Sequence, residues 1–215
     1  RPMFVKVCCI ADLAEARLAV SAGVAAIGLV SEMPSGPGVI ADELIAEIAA
    51  AIPRPTETFL LTARRDADAI VDQHRRCGTT ALQLVDHVPA TELRRLRALL
   101  PGVRLVQVVH VGGEESIEEA RSVAGLIDAL LLDSGNPLLP VKQLGGTGRV
   151  HDWSYSRRIR EIARVPVLLA GGLHPGNVRA AIDVVAPAGL DVCSGLRTGG
   201  CLDAGKLAAF IAAIG

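Results

Sequence analysis

The sequence predicts one α/β domain, a (β/α)8 or TIM barrel, over residues 1–215. Apolar runs alternate with stretches of helical periodicity eight times along the chain, as in a parallel barrel wrapped in helices. Half of the residues are hydrophobic, but aromatic side chains are scarce, with three Phe, one Trp and one Tyr. Such a core of small branched side chains is typical of the layered interior of a parallel barrel.

The first half of the chain supplies four strand–helix units. Asp12 is an N-cap that begins the first helix, and Gly23, Pro53 and Gly78 end the first three helices. A proline in the first turn is consistent with the start of the fourth helix. The predicted strands are Phe4–Ile10, Ala25–Val30, Thr58–Thr62 and Ala81–Val85, and the helices are Asp12–Gly23, Ala41–Ile52, Ala67–Arg76 and Pro89–Leu100.

The second half repeats this order four more times. An open doubly wound sheet is the alternative fold, but no Gly-x-Gly-x-x-Gly follows the first strand. The stretch between Asp133 and Trp153 is rich in glycine and proline and has no clear period, so we expect a functional loop there. The strands are Arg104–Val109, Ala129–Leu132, Val167–Ala170 and Leu190–Cys193, and the helices are Glu114–Val123, Tyr155–Ala163, Gly176–Val185 and Ala204–Ile214.

Composition excludes several classes of partner. A net charge of −1 gives no electrostatic footprint for nucleic acid. No apolar run reaches the roughly 18 residues that span a bilayer, and the first residues lack the pattern of a secretion signal, so we expect neither a membrane-spanning nor a secreted protein. The five cysteines lack metal-ligand spacing, so we expect reduced thiols in a cytoplasmic protein without a metal. We expect a monomer or a homodimer.

Chemistry in a barrel of this class is expected where strands end and the loops to the helices begin. Asp133 ends a buried apolar strand, where a carboxylate is more typical of a functional site than of a surface. Cys8 is either a small core residue or a strand-end thiol that acts as a base. Strand alternation predicts that Cys9 points to the opposite side. Lys6 alternates with Cys8 and is expected either to lower the pKa of the thiol or to pair with a carboxylate.

Three glycine turns follow the last three strands and predict a phosphate site. Backbone N–H groups at such turns are unpaired donors, and the loops after strands 7 and 8 of a barrel often bind phosphate. The ligand expected here is a small phosphorylated metabolite, although the Gly-Gly pairs also suit simple tight turns. The candidate residues are Gly145, Gly146, Thr147, Gly171, Gly172, Ser194 and Gly195.

Histidines divide into two groups by context. His110 ends the fifth strand and is better placed than the others to reach the pocket, although the sequence leaves open whether it does. The others lie in helices or loops and are expected to be solvated or to act as caps; they are His74, His87, His151 and His174.

Several motifs together resemble the phosphoribosylanthranilate isomerase family. Lys6-Val7-Cys8 is similar to its first-strand Lys-Ile-Cys-Gly, and Leu131-Leu132-Asp133 to its sixth-strand Leu-Leu-Asp. Gly145-Gly146-Thr147-Gly148, Ala170-Gly171-Gly172-Leu173 and Asp191-Val192-Cys193-Ser194-Gly195 resemble its Gly-Gly-Thr-Gly, Ala-Gly-Gly-Leu and Asp-Val-Ser-Ser-Gly. The likeness covers the whole chain and is strongest from about 129 to 195.

This resemblance implies a cofactor-free Amadori rearrangement of a phosphorylated aminosugar in tryptophan biosynthesis. Asp133 would be the general acid and Cys8, as thiolate, the general base, with the glycine turns holding the phosphate. The family's Ser-Pro-Arg after strand 2, whose Arg grips the anthranilate carboxylate, is absent from Ser35-Gly36-Pro37-Gly38. Arg64, Arg65 and Arg197 are candidates to replace it. Two alternatives remain, a relative that binds a phosphorylated metabolite without this activity and an isomerase of another sugar phosphate.

Overall fold

The computed structural model describes residues 2–215 and confirms the (β/α)8 barrel: eight parallel strands close in sequence order, and a helix follows each. The barrel strands are β1 Phe4–Val7, β2 Ala26–Val30, β3 Glu57–Thr62, β4 Ala81–Leu84, β5 Arg104–His110, β6 Ala129–Asp133, β7 Val167–Leu169 and β8 Gly189–Val192. The helices are α1 Leu13–Ser21, α2 Asp42–Ala51, α3 Ala67–Cys77, α4 Ala90–Leu99, α5 Glu115–Val123, α6 Trp153–Ile162, α7 Val178–Val185 and α8 Ala204–Ile214.

Two apolar cores follow from strand alternation. Side chains that point inward, among them Phe59, Val106 and Leu131, fill the barrel. Side chains that point outward, among them Ile27 and Leu132, pack against the helices. The pairing of β1 with β8 closes the barrel and sets Lys6 opposite Asp191 in register.

Helix caps agree with the sequence. The Asp12 side chain accepts a hydrogen bond from the Glu15 N–H at 2.8 Å and begins α1. Gly78 ends α3 with φ +65°, a conformation that glycine adopts without steric cost. These local interactions explain why the helix bounds lie within a few residues of those predicted.

The chain after β8 contains elements that were not predicted. A 3-10 turn over Ser194–Leu196 leads into a two-stranded antiparallel hairpin, β9 Arg197–Thr198 and β10 Cys201–Leu202. Gly199 and Gly200 connect the two strands, both with positive φ, as two-residue hairpin turns require. The Gly-Gly pair was therefore the sequence feature that could have predicted this hairpin.

Residues 2–215 contain neither a membrane-spanning helix nor a cluster of metal ligands. None of the helices there combines the length and the apolar character needed to cross a membrane. Nor does this part of the chain bring three or more His, Cys, Asp or Glu side chains into an arrangement that could hold a metal ion.

Candidate active site

A cavity opens at the carboxyl ends of the strands, where barrel chemistry is expected. Its walls come from strand ends and from two loops, 31–41 after β2 and 134–152 after β6. Among the residues that line it are most of those singled out from the sequence: Cys8, Asp133, Gly145, Gly146, Thr147, Gly171, Gly172 and Ser194.

Cys8 is fixed at the end of β1 by the barrel closure. Its N–H donates to the Val192 carbonyl at 2.9 Å, and the residue is 6% exposed. Gly28 on β2 leaves room for its side chain, since a Cβ at Gly28 would lie 2.7 Å from the Cys8 Sγ and 3.0 Å from the Lys6 Nζ. The thiol therefore lies beside the buried Lys6 ammonium.

Lys6 forms an ion pair inside the barrel. Its Nζ lies 2.8 Å from Asp191 Oδ1, and the lysine side chain is wholly buried. Burial alone would lower the pKa of Lys6, but the Asp191 carboxylate more than offsets it and raises that pKa above its usual range. Of the two expectations for Lys6, pairing with a carboxylate is the one observed. Asp191 also lines the cavity, a role that its place on the predicted eighth strand could have suggested.

Asp133 is held in the opposite wall at the end of β6. Burial raises the pKa of this carboxyl group, and the Ser134 N–H, which donates to Asp133 Oδ1 at 2.7 Å, opposes that rise. The Asp191 carboxylate acts in the same direction as burial. A raised pKa keeps the acid protonated closer to neutral pH, as proton donation requires.

The last glycine turns form a cradle on one side of the cavity. A Cβ at Gly172, which has φ +63°, would fall 2.7 to 2.9 Å from the backbone of Arg149 and Val150, so only glycine fits this contact. A Cβ at Gly148 would lie 3.3 Å from the Ser194 Oγ. The N–H groups of Gly148 and Gly172 have no acceptor among residues 2–215 and are free to bind an anion. Gly195 does not line the cavity; it packs against the Leu173 carbonyl.

The other side of the cavity is mainly apolar, and Gln83 is a polar residue in its wall. Met33, Leu61, Val85 and Leu144 line it. Gln83 is 3% exposed, and its Oε1 is buried without a hydrogen-bond partner among the described residues. Alternation with Val85 on the predicted fourth strand was the sequence feature that could have identified Gln83.

The two loops are joined at the rim of this apolar side. Ser35 Oγ donates to the Lys142 carbonyl at 2.7 Å, and Lys142 Nζ lies 2.5 Å from Asp86 Oδ2. No lysine or arginine of residues 2–215 lines the cavity. The three arginines named as candidates to bind the substrate's carboxylate therefore lie outside the cavity. Arg65 donates to the His87 carbonyl, Arg197 pairs with Glu15, and Arg64 is exposed.

The structure contradicts the expectation for Cys9 and specifies the positions of three histidines. Cys9 does not point away from Cys8; both line the cavity, because β1 ends at Val7 and Cys9 adopts φ +59°, which breaks strand alternation. His110 does not line the cavity, since its Nε2 bonds the Val85 carbonyl at 2.8 Å. His74 is buried and bonds the Thr79 carbonyl, and the half-buried His151 bonds Ser156 Oγ at 2.6 Å.

Comparison with protein families gives a match over nearly the whole chain. Residues 5–213 match the family described as "N-(5'phosphoribosyl)anthranilate (PRA) isomerase". The N-(5'-phosphoribosyl)anthranilate isomerase of Haloferax volcanii is 37% identical over 211 residues, which cover 97% of this chain and 91% of that protein. That of Methanocella arvoryzae is 35% identical over 193 residues, 90% of this chain and 88% of that protein.

Solved structures agree with the sequence relatives. Phosphoribosyl anthranilate isomerase from Thermotoga maritima superimposes with a TM-score of 0.83 at 30% identity, covering 97% of both chains. A phosphoribosyl anthranilate isomerase solved in complex with reduced 1-(o-carboxyphenylamino)-1-deoxyribulose 5-phosphate gives a TM-score of 0.80 at 28% identity, covering 97% of this chain and 96% of that one.

Proposed function

Because the chain belongs to the N-(5'-phosphoribosyl)anthranilate isomerase family, we propose that Cys8 and Asp133 are the base and acid with which it isomerises N-(5'-phosphoribosyl)anthranilate. The family's reaction is a step of tryptophan biosynthesis. The observation that carries the proposal is that this thiol and this carboxyl group line one cavity together with the glycine turns after β6 and β7.

The reaction proceeds in two proton transfers. Asp133 donates its proton to the ring oxygen of the furanose, the bond between that oxygen and C1 breaks, and an iminium forms between C1 and the anthranilate nitrogen. The Cys8 Sγ then takes the proton from C2, giving an enolamine that tautomerises to the 1-deoxyribulose product. The raised pKa of Asp133 favours the first transfer, because the carboxyl group must be protonated to act.

The phosphate of the substrate is bound by the glycine cradle. Free N–H groups at Gly148 and Gly172, with the hydroxyl of Ser194 facing Gly148, supply donors for its oxygens. Gly145, Gly146, Thr147 and Gly171 line the same cavity, and Gly195, which does not line it, packs on the Leu173 carbonyl. Anchoring the phosphate there fixes the sugar between acid and base, which lowers the entropic part of the barrier.

The anthranilate ring fits the apolar side of the cavity. Its carboxylate needs a cation, and Lys142 lies at the rim, where its backbone accepts from Ser35 and its ammonium pairs with Asp86. We propose that the Lys142 ammonium, which has donors beyond the one bound to Asp86, receives this carboxylate. This assigns to the loop after β6 the role that the missing arginine plays in the family's loop after β2.

The experiment is to measure turnover of N-(5'-phosphoribosyl)anthranilate, generated in the cuvette, by the wild-type protein and by Cys8→Ser and Asp133→Asn. Each variant removes a proton-transfer group while keeping its shape, so we expect kcat to fall about 10²- to 10⁴-fold. Cys201→Ser is the matched control, because Cys201 is an exposed thiol far along the chain in β10. Wild-type protein that is folded yet inactive, or a Cys8→Ser variant that is fully active, would contradict the assignment.

The absence of arginine and lysine from the cavity wall favours one alternative, a relative that binds a phosphorylated metabolite without converting it. Calorimetry with the product analogue separates the two. Binding without turnover, unchanged in Asp133→Asn, supports the alternative.

The free thiols of all five cysteines are consistent with a cytoplasmic enzyme, and we propose the cytoplasm as its location. One related enzyme, from Thermotoga maritima, is described as dimeric; a monomer or homodimer remains the prediction for this chain.

A further inference from the structure

The Arg197 side chain binds the backbone segment that carries Cys8. Its Nη2 donates to the carbonyl oxygen of Cys9 and, at 3.4 Å, to that of Cys8. No other donor among residues 2–215 bonds either carbonyl. Since β1 ends at Val7, the strand ladder of the barrel does not hold these two groups. Arg197 therefore fixes a stretch of backbone that the sheet leaves free.

A buried carboxylate holds the guanidinium in place. Glu15 accepts two hydrogen bonds from Arg197, from Nη1 to Oε1 at 2.9 Å and from Nη2 to Oε2 at 3.0 Å, and the arginine and glutamate side chains are only 12% and 11% exposed. The same carboxylate accepts from the N–H groups of Ala11 and Leu202, and Nη1 also donates to the Gly200 carbonyl. A planar guanidinium bound at several points by fixed partners is a rigid support for the carbonyls that it contacts.

The peptide groups on both sides of the Cys8 Cα are fixed in this way. The N–H of Cys8 donates to the Val192 carbonyl at 2.9 Å, which holds the preceding peptide group. Arg197 holds the following one through the Cys8 carbonyl and the next through the Cys9 carbonyl. Because these planar groups determine the direction of the Cα–Cβ bond, they set where the thiol of Cys8 points.

Cys9 needs such a support because of its own backbone conformation. Its φ is +59°, in the left-handed region that residues with a Cβ rarely adopt. Rotation of the peptide group between Cys8 and Cys9 would relieve this strain, and the bonds from Arg197 oppose that rotation. Gly38 packs against the same residue, since a Cβ at Gly38 would lie 2.6 Å from the Cys9 Cβ.

We propose that Arg197 is a positioning residue that directs the Cys8 thiol at C2 of the sugar. Arg197 does not line the cavity, so it acts through the two carbonyls and not by contact with the substrate. The inference rests on the proposed function, because it requires Cys8 to be the base. A displacement of about 1 Å at a reacting group lowers a rate about 100-fold. Loss of the bonds to the carbonyls should therefore lower kcat and leave substrate binding nearly unchanged.

The test measures kcat and KM for Arg197→Lys and Arg197→Met in the turnover assay of the proposed function. Lysine keeps a positive charge for Glu15, but its single nitrogen cannot bind the carboxylate and the two carbonyls together. We expect kcat to fall about tenfold in Arg197→Lys and about 100-fold in Arg197→Met, with KM within about threefold of the wild type in both. Urea unfolding shows that each variant is folded under the assay conditions.

The matched control is Arg97→Met, because Arg97 also joins a carbonyl to a carboxylate. Its Nε donates to the Leu126 carbonyl at 3.1 Å and its Nη1 to Asp128 Oδ2 at 2.8 Å. Asp128 directly precedes β6, at the end of the barrel opposite to the cavity. This variant loses an arginine bridge of the same kind, and its kcat should equal that of the wild type.

A second background separates positioning from a general structural role. Cys9→Gly relieves the strain of positive φ, because glycine adopts this conformation freely. Relative to Cys9→Gly alone, the further change Arg197→Met should therefore lower kcat by a smaller factor than it does in the wild type. A merely structural role would give the same factor in both backgrounds and would contradict the proposal.

Other results would also overturn it. They are a wild-type kcat in Arg197→Lys, a rise in KM without a fall in kcat, and a fall in kcat of Arg97→Met as large as that of Arg197→Met. With Cys8→Ser inactive, these results refute the role of Arg197 and leave the proposed base intact, whereas a fully active Cys8→Ser refutes both. Arg197→Lys decides the matter if Arg197→Met fails to fold.

Discussion

The ammonium of Lys6 lies 2.8 Å from the Asp191 carboxylate inside the barrel, although the two residues are 185 positions apart. The pair spans the seam where β1 meets β8, so it forms only when the barrel closes. It also lies next to the Cys8 thiol, which links the closure of the fold to the position of the proposed base.

Replacing Lys6 with Met should destabilise the protein strongly. The change keeps the length of the side chain but leaves the Asp191 carboxylate buried without its partner, a loss that costs about 3 to 5 kcal/mol. Urea unfolding followed by circular dichroism measures the free energy of unfolding. Arg121→Met is the control, because its pair with Glu118 is exposed and should change stability by less than about 0.5 kcal/mol. Equal losses in the free energy of unfolding would show that the buried pair stabilises the protein no more than the exposed pair does.

Adding one methyl group at Gly28 should displace the Cys8 thiol. A Cβ there would lie 2.7 Å from the Cys8 Sγ, closer than the two atoms can approach. The φ of Gly28 is not in the left-handed region, so alanine fits the backbone and the effect is steric. A displacement of about 1 Å at a reacting group costs about 100-fold in rate, so we expect Gly28→Ala to lower kcat by that order.

The matched control for this change is Gly102→Ala, since nothing lies within 4 Å of a Cβ at Gly102. Its kcat should equal that of the wild type in the same assay. If Gly28→Ala retains full kcat while its fold is intact, the position of Cys8 beside Gly28 is unimportant for turnover, and its role as base loses support.

Local features of the chain were sufficient to predict the barrel and one side of the cavity. Asp12 and Gly78 act through hydrogen bonds and backbone conformations within one helical turn, so sequence patterns record them directly. The same holds for Asp133, the last residue of β6, and for the turn at Gly172, which lies shortly after the end of β7. The barrel rule then places the carboxyl ends of all strands on one face.

Contacts between distant segments could not be predicted in this way. Cys9 reaches the cavity only because a non-glycine residue adopts positive φ, which strand alternation does not anticipate. His151 is half-buried because the loop after β6 folds back onto Ser134, 17 residues earlier. The pair between Lys142 and Asp86 similarly joins a loop to a strand end 56 positions away. These positions depend on tertiary packing, which alternation and capping do not encode.

Replacing Lys142 with Met should weaken substrate binding more than catalysis. A hydrogen bond to a charged group contributes about 1.5 to 3 kcal/mol, so losing the carboxylate contact should raise KM about tenfold or more and leave kcat within about twofold. Steady-state kinetics separate the two constants. Arg149→Met is the control, because this cation of the same loop donates to Gln143 Oε1 and does not line the cavity. An unchanged KM in Lys142→Met would show that Lys142 does not bind the carboxylate of the substrate.

Stability should fall below neutral pH because of His151. Burial lowers the pKa of this imidazole to about 4, against the opposing effect of the Asp152 carboxylate. The folded protein then holds a neutral imidazole at a pH where the unfolded chain, with a pKa near 6.5, has already bound a proton. Since the unfolded state binds more protons, the free energy of unfolding decreases as pH falls from 6.5 to about 4, by at most about 3 kcal/mol.

Urea unfolding at several pH values across this interval measures the effect in the wild type and in His151→Gln. Glutamine retains a hydrogen-bonding group near Ser156 but does not titrate, so the variant should lose the part of the slope that His151 contributes. If the wild type and His151→Gln have the same slope, protonation of this imidazole does not limit stability, and the acid sensitivity must arise from carboxyl groups instead.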